Sequence, residues 1–127
     1  VKLTKIEAFH LRMPLIYPFN TAVGNSDANE TILVKMSSGT AYGWGEAAPW
    51  REPAYSPESA AGVLLHLRKF LTPLVLGRFV TGGEELHKLM SPVKGNRFAK
   101  AALDLAFWDL SARVQRKLRW RSAARHG

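Results

Sequence analysis

Residues 95–110 read GNRFAKAALDLAFWDL, a capped helix with almost no polar face. On a wheel of about 100° per residue, Arg97, Lys100, Asp104, Ser111 and Gln115 share a stripe roughly 60° wide. Phe98, Ala101, Ala102, Leu105 and Ala112 fill one side of that stripe. Leu103, Phe107, Leu110 and Val114 fill the other. A surface helix needs one apolar face, whereas a helix apolar most of the way round lies between two layers. This helix, from Asn96 to about Gln115, therefore asks for partners on two sides. A chain of 127 residues has room to supply one.

That length fits a single domain with a real core. Apolar content of 46% and charged content of 22% are ordinary for a globular chain. No apolar run is long enough to span a bilayer, and no stretch resembles a secretory leader, so no membrane partner is expected. The absence of cysteine removes disulfides, thiolate metal sites and cysteine nucleophiles. The cytoplasm is the simplest compartment.

The net charge of +8 suggests nucleic acid until it is located. Residues 1–112 hold twelve Lys and Arg against all ten acids. Arg113, Arg116, Lys117, Arg119, Arg121 and Arg125 follow with no acid among them. The charge belongs to the tail, and the ordinary reading of a basic tail is a solvated or disordered end. Nucleic acid is therefore not the expected partner.

The first half alternates as strands do. Residues 2–13 form the first, with a change of phase near Ala8 and Phe9 that implies a bulge or a strand covered on both faces. Ile32, Val34 and Met36 share one face of the second, and a Ser-Ser-Gly turn at 37–39 returns the chain as a third over residues 40–46. Residues 14–29, with Pro18, Gly24, Asn25 and Asp27, read as a long polar loop of the kind that carries function. The second half is helical. Ser56-Pro57-Glu58 is a start signal, and Thr72-Pro73 is a stop. Thr81 and Glu84 have capping-box spacing before a short helix of Leu86, Leu89 and Met90, and Ser91-Pro92 ends it. Strands followed by helices make an α+β fold: a three-stranded antiparallel meander and a bundle of about three helices.

Few residues carry obvious chemistry. Gly43 and Gly45 face the same side of a strand, which implies close approach by other backbone, from this domain or another. Glu46 stands at the strand's end with no second acid at a telling spacing, so a structural acid outweighs a catalytic one. Trp50, Arg51 and Tyr55 lie in one loop, Phe19 and Thr21 in the earlier one. From composition alone the loop aromatics are equally recognition elements or seals over the core. His10, His66, His87 and His126 lack metal-ligand spacing. Asp109, among apolar neighbours with Arg113 at i+4, reads as an ion pair or as an acid bonding across an interface. Gly77, Gly82 and Gly83 make no phosphate loop, and no serine sits in a nucleophile elbow.

Four segments together resemble, in order, the amino-terminal capping domain of the enolase superfamily in its mandelate racemase/muconate-lactonizing branch. They are MPLIYPFNTAVG at 13–24, GWGE at 43–46, PAYSPES at 53–59 with LRKFLTP at 67–73, and GNRFAKAALD at 95–104 running into WDL at 108–110. The P-x-Y-S-x-E segment is most like o-succinylbenzoate synthases and N-acylamino acid racemases. Muconate cycloisomerases and dipeptide epimerases are close competitors. The resemblance implies proton removal beside a carboxylate, with the enediolate held on Mg²⁺ by a separate barrel. It implies that Phe19, Thr21 and Tyr55 face a small carboxylate substrate, with Trp50 and Arg51 beside them. It places no catalytic or metal-binding residue in this chain, and hence no cofactor.

The expected organisation is a capping domain over residues 1–115, a basic tail over 116–127 that is disordered or aberrant, and no TIM barrel, which takes roughly 250 residues. The abrupt change of charge and the early stop fit a truncated or frame-shifted product. The expected function is a substrate-capping and specificity domain, inactive alone. The alternatives are a fragment of a muconate cycloisomerase or dipeptide epimerase, a non-catalytic interaction module whose basic tail engages an acidic partner or nucleic acid, and a remnant that folds poorly. Self-association through the last helix is expected if its second face stays bare.

Overall fold

Alternation builds the sheet. The computed structural model describes residues 1–21, 24–48 and 59–126, with side chains over 1–12, 30–48 and 59–123. Strands β1 (Lys5–Thr21), β2 (Gly24–Ser38) and β3 (Ala41–Ala47) pair antiparallel in the order β1-β2-β3. Ile32, Val34 and Met36 are fully buried on the helix-facing side, as their spacing predicts. Gly39, with φ of +61°, makes the tight turn between β2 and β3.

The predicted loop over residues 14–29 is instead a continuation of the β1–β2 hairpin. Pro14 pairs with Ala28, and after a shift Phe19, Asn20 and Thr21 pair with Ser26, Asn25 and Gly24. Proline has no N–H for a ladder, so the irregularity falls in the stretch bounded by Pro14 and containing Pro18. The expected bulge near Ala8 and Phe9 is absent, since pairing is regular from Lys5 to Pro14. The apparent change of phase arises because both faces are apolar there. Ile6 and Ala8 pack on the core, while Phe9 lies on the other face with its ring 6.0 Å from Trp44.

Helix α1 spans Ala60–His66. Ser59 caps it, its Oγ accepting from the Gly62 N–H at 3.1 Å. The Ser56-Pro57-Glu58 signal lies outside the described residues. Thr72-Pro73 does not stop this helix. A π-turn over Leu67–Leu71 intervenes, closed by the Thr72 N–H on the Leu67 carbonyl, and helix α2 (Thr72–Val75) follows. Pro73 thus sits in a first turn, where its missing N–H costs nothing.

Helix α3 (Gly83–Met90) starts from Gly82. The predicted box is displaced by one residue: the Thr81 hydroxyl and amide both donate to the Glu85 carboxylate, at 2.7 and 3.1 Å. Asn96 precedes helix α4 (Arg97–His126) in the left-handed region at φ of +56°, which asparagine tolerates. Its carbonyl accepts the Lys100 N–H at 3.0 Å. The helix does not end near Gln115, and the tail is not irregular. Residues 116–126 contain no proline or glycine and are rich in Ala, Arg and Lys, so nothing stops the helix before His126.

The core lies between the sheet and the helices. Leu3, Val34, Leu67, Leu71, Leu86, Met90, Leu103, Phe107 and Leu110 are among its fully buried members. Helix α4 crosses β3 at backbone distance. A β-carbon built on Gly45 would sit 1.9 Å from the Ala102 carbonyl oxygen, and one on Gly43 2.2 Å from the Leu110 nitrogen. The approach that this glycine pair demands therefore comes from the domain's own helix.

Candidate functional site

The candidate site is the end of the sheet where β3 stops and the hairpin continues. Pairing of β2 with β3 begins at Ile32 and Ala47. Residues 24–30 of β2 and their β1 partners extend past that point without a third strand. The backbone of Phe19 and Thr21 lies at the far end of this projection. The chain leaving β3 at Ala47 enters the segment that holds Trp50, Arg51 and Tyr55, so both predicted loops spring from one end of the sheet. The side chains of Phe19 and Thr21, and all of Trp50, Arg51 and Tyr55, lie outside the described residues.

The base of the projection is polar. The Thr31 hydroxyl lies 2.8 Å from Glu46 Oε1 and 3.2 Å from the Ala47 carbonyl oxygen. It pins the last turn of β3 to β2, and gives Glu46 a structural partner. One residue further, Glu30 keeps only 8% of its side chain exposed and faces His10, Nε2 to Oε1 at 3.5 Å. Sequence reasoning missed this pair because its members lie on different strands and only the hairpin register brings them together.

Asp109 does both things its position suggested. Its Oδ2 accepts the Trp44 N–H at 2.8 Å and lies 3.4 Å from Arg113 Nε. The first contact satisfies an outward amide of the edge strand β3. On the other edge, Arg68 donates to the Ala8 carbonyl at 3.2 Å. Asp104 faces His87 on α3 at 3.2 Å. Among the described residues, no three His, Asp or Glu side chains gather as a divalent cation would require. No described helix is long and apolar enough to cross a membrane.

The second face of α4 is bare where the sequence asked for a partner. Ala99, Ala102, Leu103, Ala106, Phe107 and Leu110 are buried. Leu105 and Trp108, on the opposite side, are 53% and 55% exposed, and Ala101 and Ala112 are exposed with them. The Trp108 ring lies against Gly83 at the start of α3 and edge-on to Phe107, with ring centroids 6.0 Å apart.

The profile of the mandelate racemase / muconate lactonizing enzyme N-terminal domain matches residues 4–118. The chain belongs to this family. An o-succinylbenzoate synthase from Geobacillus stearothermophilus is 40% identical to this N-terminal domain over 105 residues, covering 82% of this chain and 28% of that protein. An N-succinylamino acid racemase from Amycolatopsis is 32% identical over 117 residues, covering 92% of this chain and 32% of that protein. A solved enolase-superfamily member from Listeria innocua superposes on the domain with a TM-score of 0.83 at 30% identity, over 90% of this chain and 31% of the other. The chain thus spans about a third of the length of these relatives.

Proposed function

We propose that this N-terminal domain caps the substrate site of an Mg²⁺-dependent isomerase or lyase of the o-succinylbenzoate synthase and N-acylamino acid racemase kind, working in the cytoplasm. On this reading it has no turnover alone. The observation that carries the proposal is the shared end of the sheet, from which both substrate-facing segments spring. The names of its relatives support the class of reaction. The bare stripe of α4 supports the need for a further layer.

The chemistry belongs to the remainder of a longer protein, where Mg²⁺ would stabilise charge beside the substrate carboxylate. No step is assigned to the metal in this domain, whose described residues offer it no cluster. The domain's own task is exclusion of water and choice of substrate. Phe19, Thr21 and Tyr55 would lie against the substrate, with Trp50 and Arg51 at the margin. Closing such segments raises the worth of every polar contact inside by removing solvent.

The purified chain, supplied with Mg²⁺ and either an o-succinylbenzoate precursor or an N-succinylamino acid, should show no turnover above the uncatalysed rate. Turnover that rises with Mg²⁺ and disappears with chelator would overturn the claim that the domain is inactive alone.

A further inference from the structure

Beyond the Ile32–Ala47 pair the hairpin runs on as two strands, and two strands alone are marginal in water. Little in the sequence holds its register there. Residues 24–29 of β2 read GNSDAN, with no apolar alternation to tie one face to a core. Nearer the core the register is fixed by Ile6 and Ala8, which stand opposite Met36 and Val34 on the helix-facing side. His10 and Glu30 come next on that face, one on each strand, as two-residue alternation requires.

This pair is polar at the end of an apolar row. The Glu30 side chain is 8% exposed and that of His10 33%, with Nε2 to Oε1 at 3.5 Å. Glu30 Oε2 is buried and has no hydrogen-bond partner among the described residues. Arg12, directly across the ladder from Glu30, is exposed. A buried carboxyl oxygen without a donor opposes folding, and apolar side chains of similar volume would not carry that penalty. A buried polar contact can instead fix alignment, because each wrong alignment leaves its members unpaired. A slip of one residue between the strands would turn either His10 or Glu30 to the opposite face and leave the other without it.

We propose that His10 and Glu30 are positioning residues, whose buried contact fixes the register of the capping hairpin and through it the placement of Phe19 and Thr21. The selective role rests on the capping function proposed above; the register role does not. The test is hydrogen exchange on the full chain, comparing amides of residues 13–21 and 24–29 with those around Leu103. His10→Leu combined with Glu30→Leu should leave the urea midpoint unchanged or raise it. Hairpin amides should then exchange about tenfold faster, while those around Leu103 do not quicken. Two single variants separate the polar contact from volume. Glu30→Gln, which keeps an oxygen to face His10, should hold the parent's hairpin exchange. Glu30→Met, which fills similar space without one, should quicken it. With the chain exchanged for the matching residues of the Geobacillus stearothermophilus o-succinylbenzoate synthase, Glu30→Met should also move the substrate ratio several-fold. That ratio compares kcat/KM for o-succinylbenzoate formation with kcat/KM for N-succinylamino acid racemisation, and Glu30→Gln should leave it in place. The register role is overturned if the Gln and Met variants exchange alike, or if the double variant's hairpin quickens no more than the amides around Leu103. It is equally overturned if the parent's hairpin amides already exchange at coil rates. Faster hairpin exchange with an unmoved substrate ratio upholds the register role and overturns the selective one.

Discussion

Within α4, residues 97–114 and residues 115–126 are continuous in backbone and opposite in support. The first part buries Ala99, Ala102, Leu103, Ala106, Phe107 and Leu110 against the sheet and the other helices. The second buries nothing among its described residues. The first is rich in Ala and Leu, the second in Ala, Arg and Lys, so local propensity hardly separates them. Packing does. The difference shows that a helix boundary in this chain is set by the absence of a breaker, while the stability of each turn is set by tertiary contact.

Truncating Phe107→Ala should cost the most, about 3–5 kcal/mol of global stability, read from the urea midpoint at constant slope. Gly45→Ala should follow, at about 1–3 kcal/mol, because the new methyl must push α4 off β3. Asp109→Ala, which frees the exposed Trp44 amide, should cost about 1 kcal/mol. Arg119→Gly should weaken the local helix by about 0.5–1 kcal/mol while leaving the global midpoint unmoved. Hydrogen exchange should then separate the parts, with amides around Leu103 protected to the global limit and those beyond Leu118 exchanging at near-coil rates.

The smallest effect is in pH. The Thr81 hydroxyl and amide hold the exposed Glu85 carboxyl below its ordinary value. A depressed folded-state value means this contribution is complete above the unfolded value of about 4.3 and is lost as pH falls through the lower, folded one. Exchange at the first turn of α3 should therefore quicken in that acid window, and Glu85→Gln should remove the dependence.

The sequence exposed those features in which a side chain reports its own surroundings. Ile32, Val34 and Met36 alternate because one face is buried, and Gly43 and Gly45 mark a close backbone approach wherever it comes from. The two-sided apolar character of α4 was legible, and so was the second face left uncovered. The extended hairpin was hidden because its ladder is made by backbone, beneath polar residues and prolines that read as loop. Pro73 misled because a π-turn can absorb it, and no residue pattern announces that turn. The His10–Glu30 pair required a register, and the shared origin of the two capping segments required the sheet order.

The most direct measurement joins this chain to an enzyme that has a barrel. In the Geobacillus stearothermophilus o-succinylbenzoate synthase, the 105 residues that match would be exchanged for those of this chain. KM and kcat would then be measured for o-succinylbenzoate formation and N-succinylamino acid racemisation. Retained Mg²⁺-dependent turnover is predicted, with a changed ratio between the two substrates. Phe19→Ala and Tyr55→Ala should raise KM several-fold more than they lower kcat. A folded chimera with the parent's substrate ratio, indifferent to both substitutions, would contradict a specificity role for this domain.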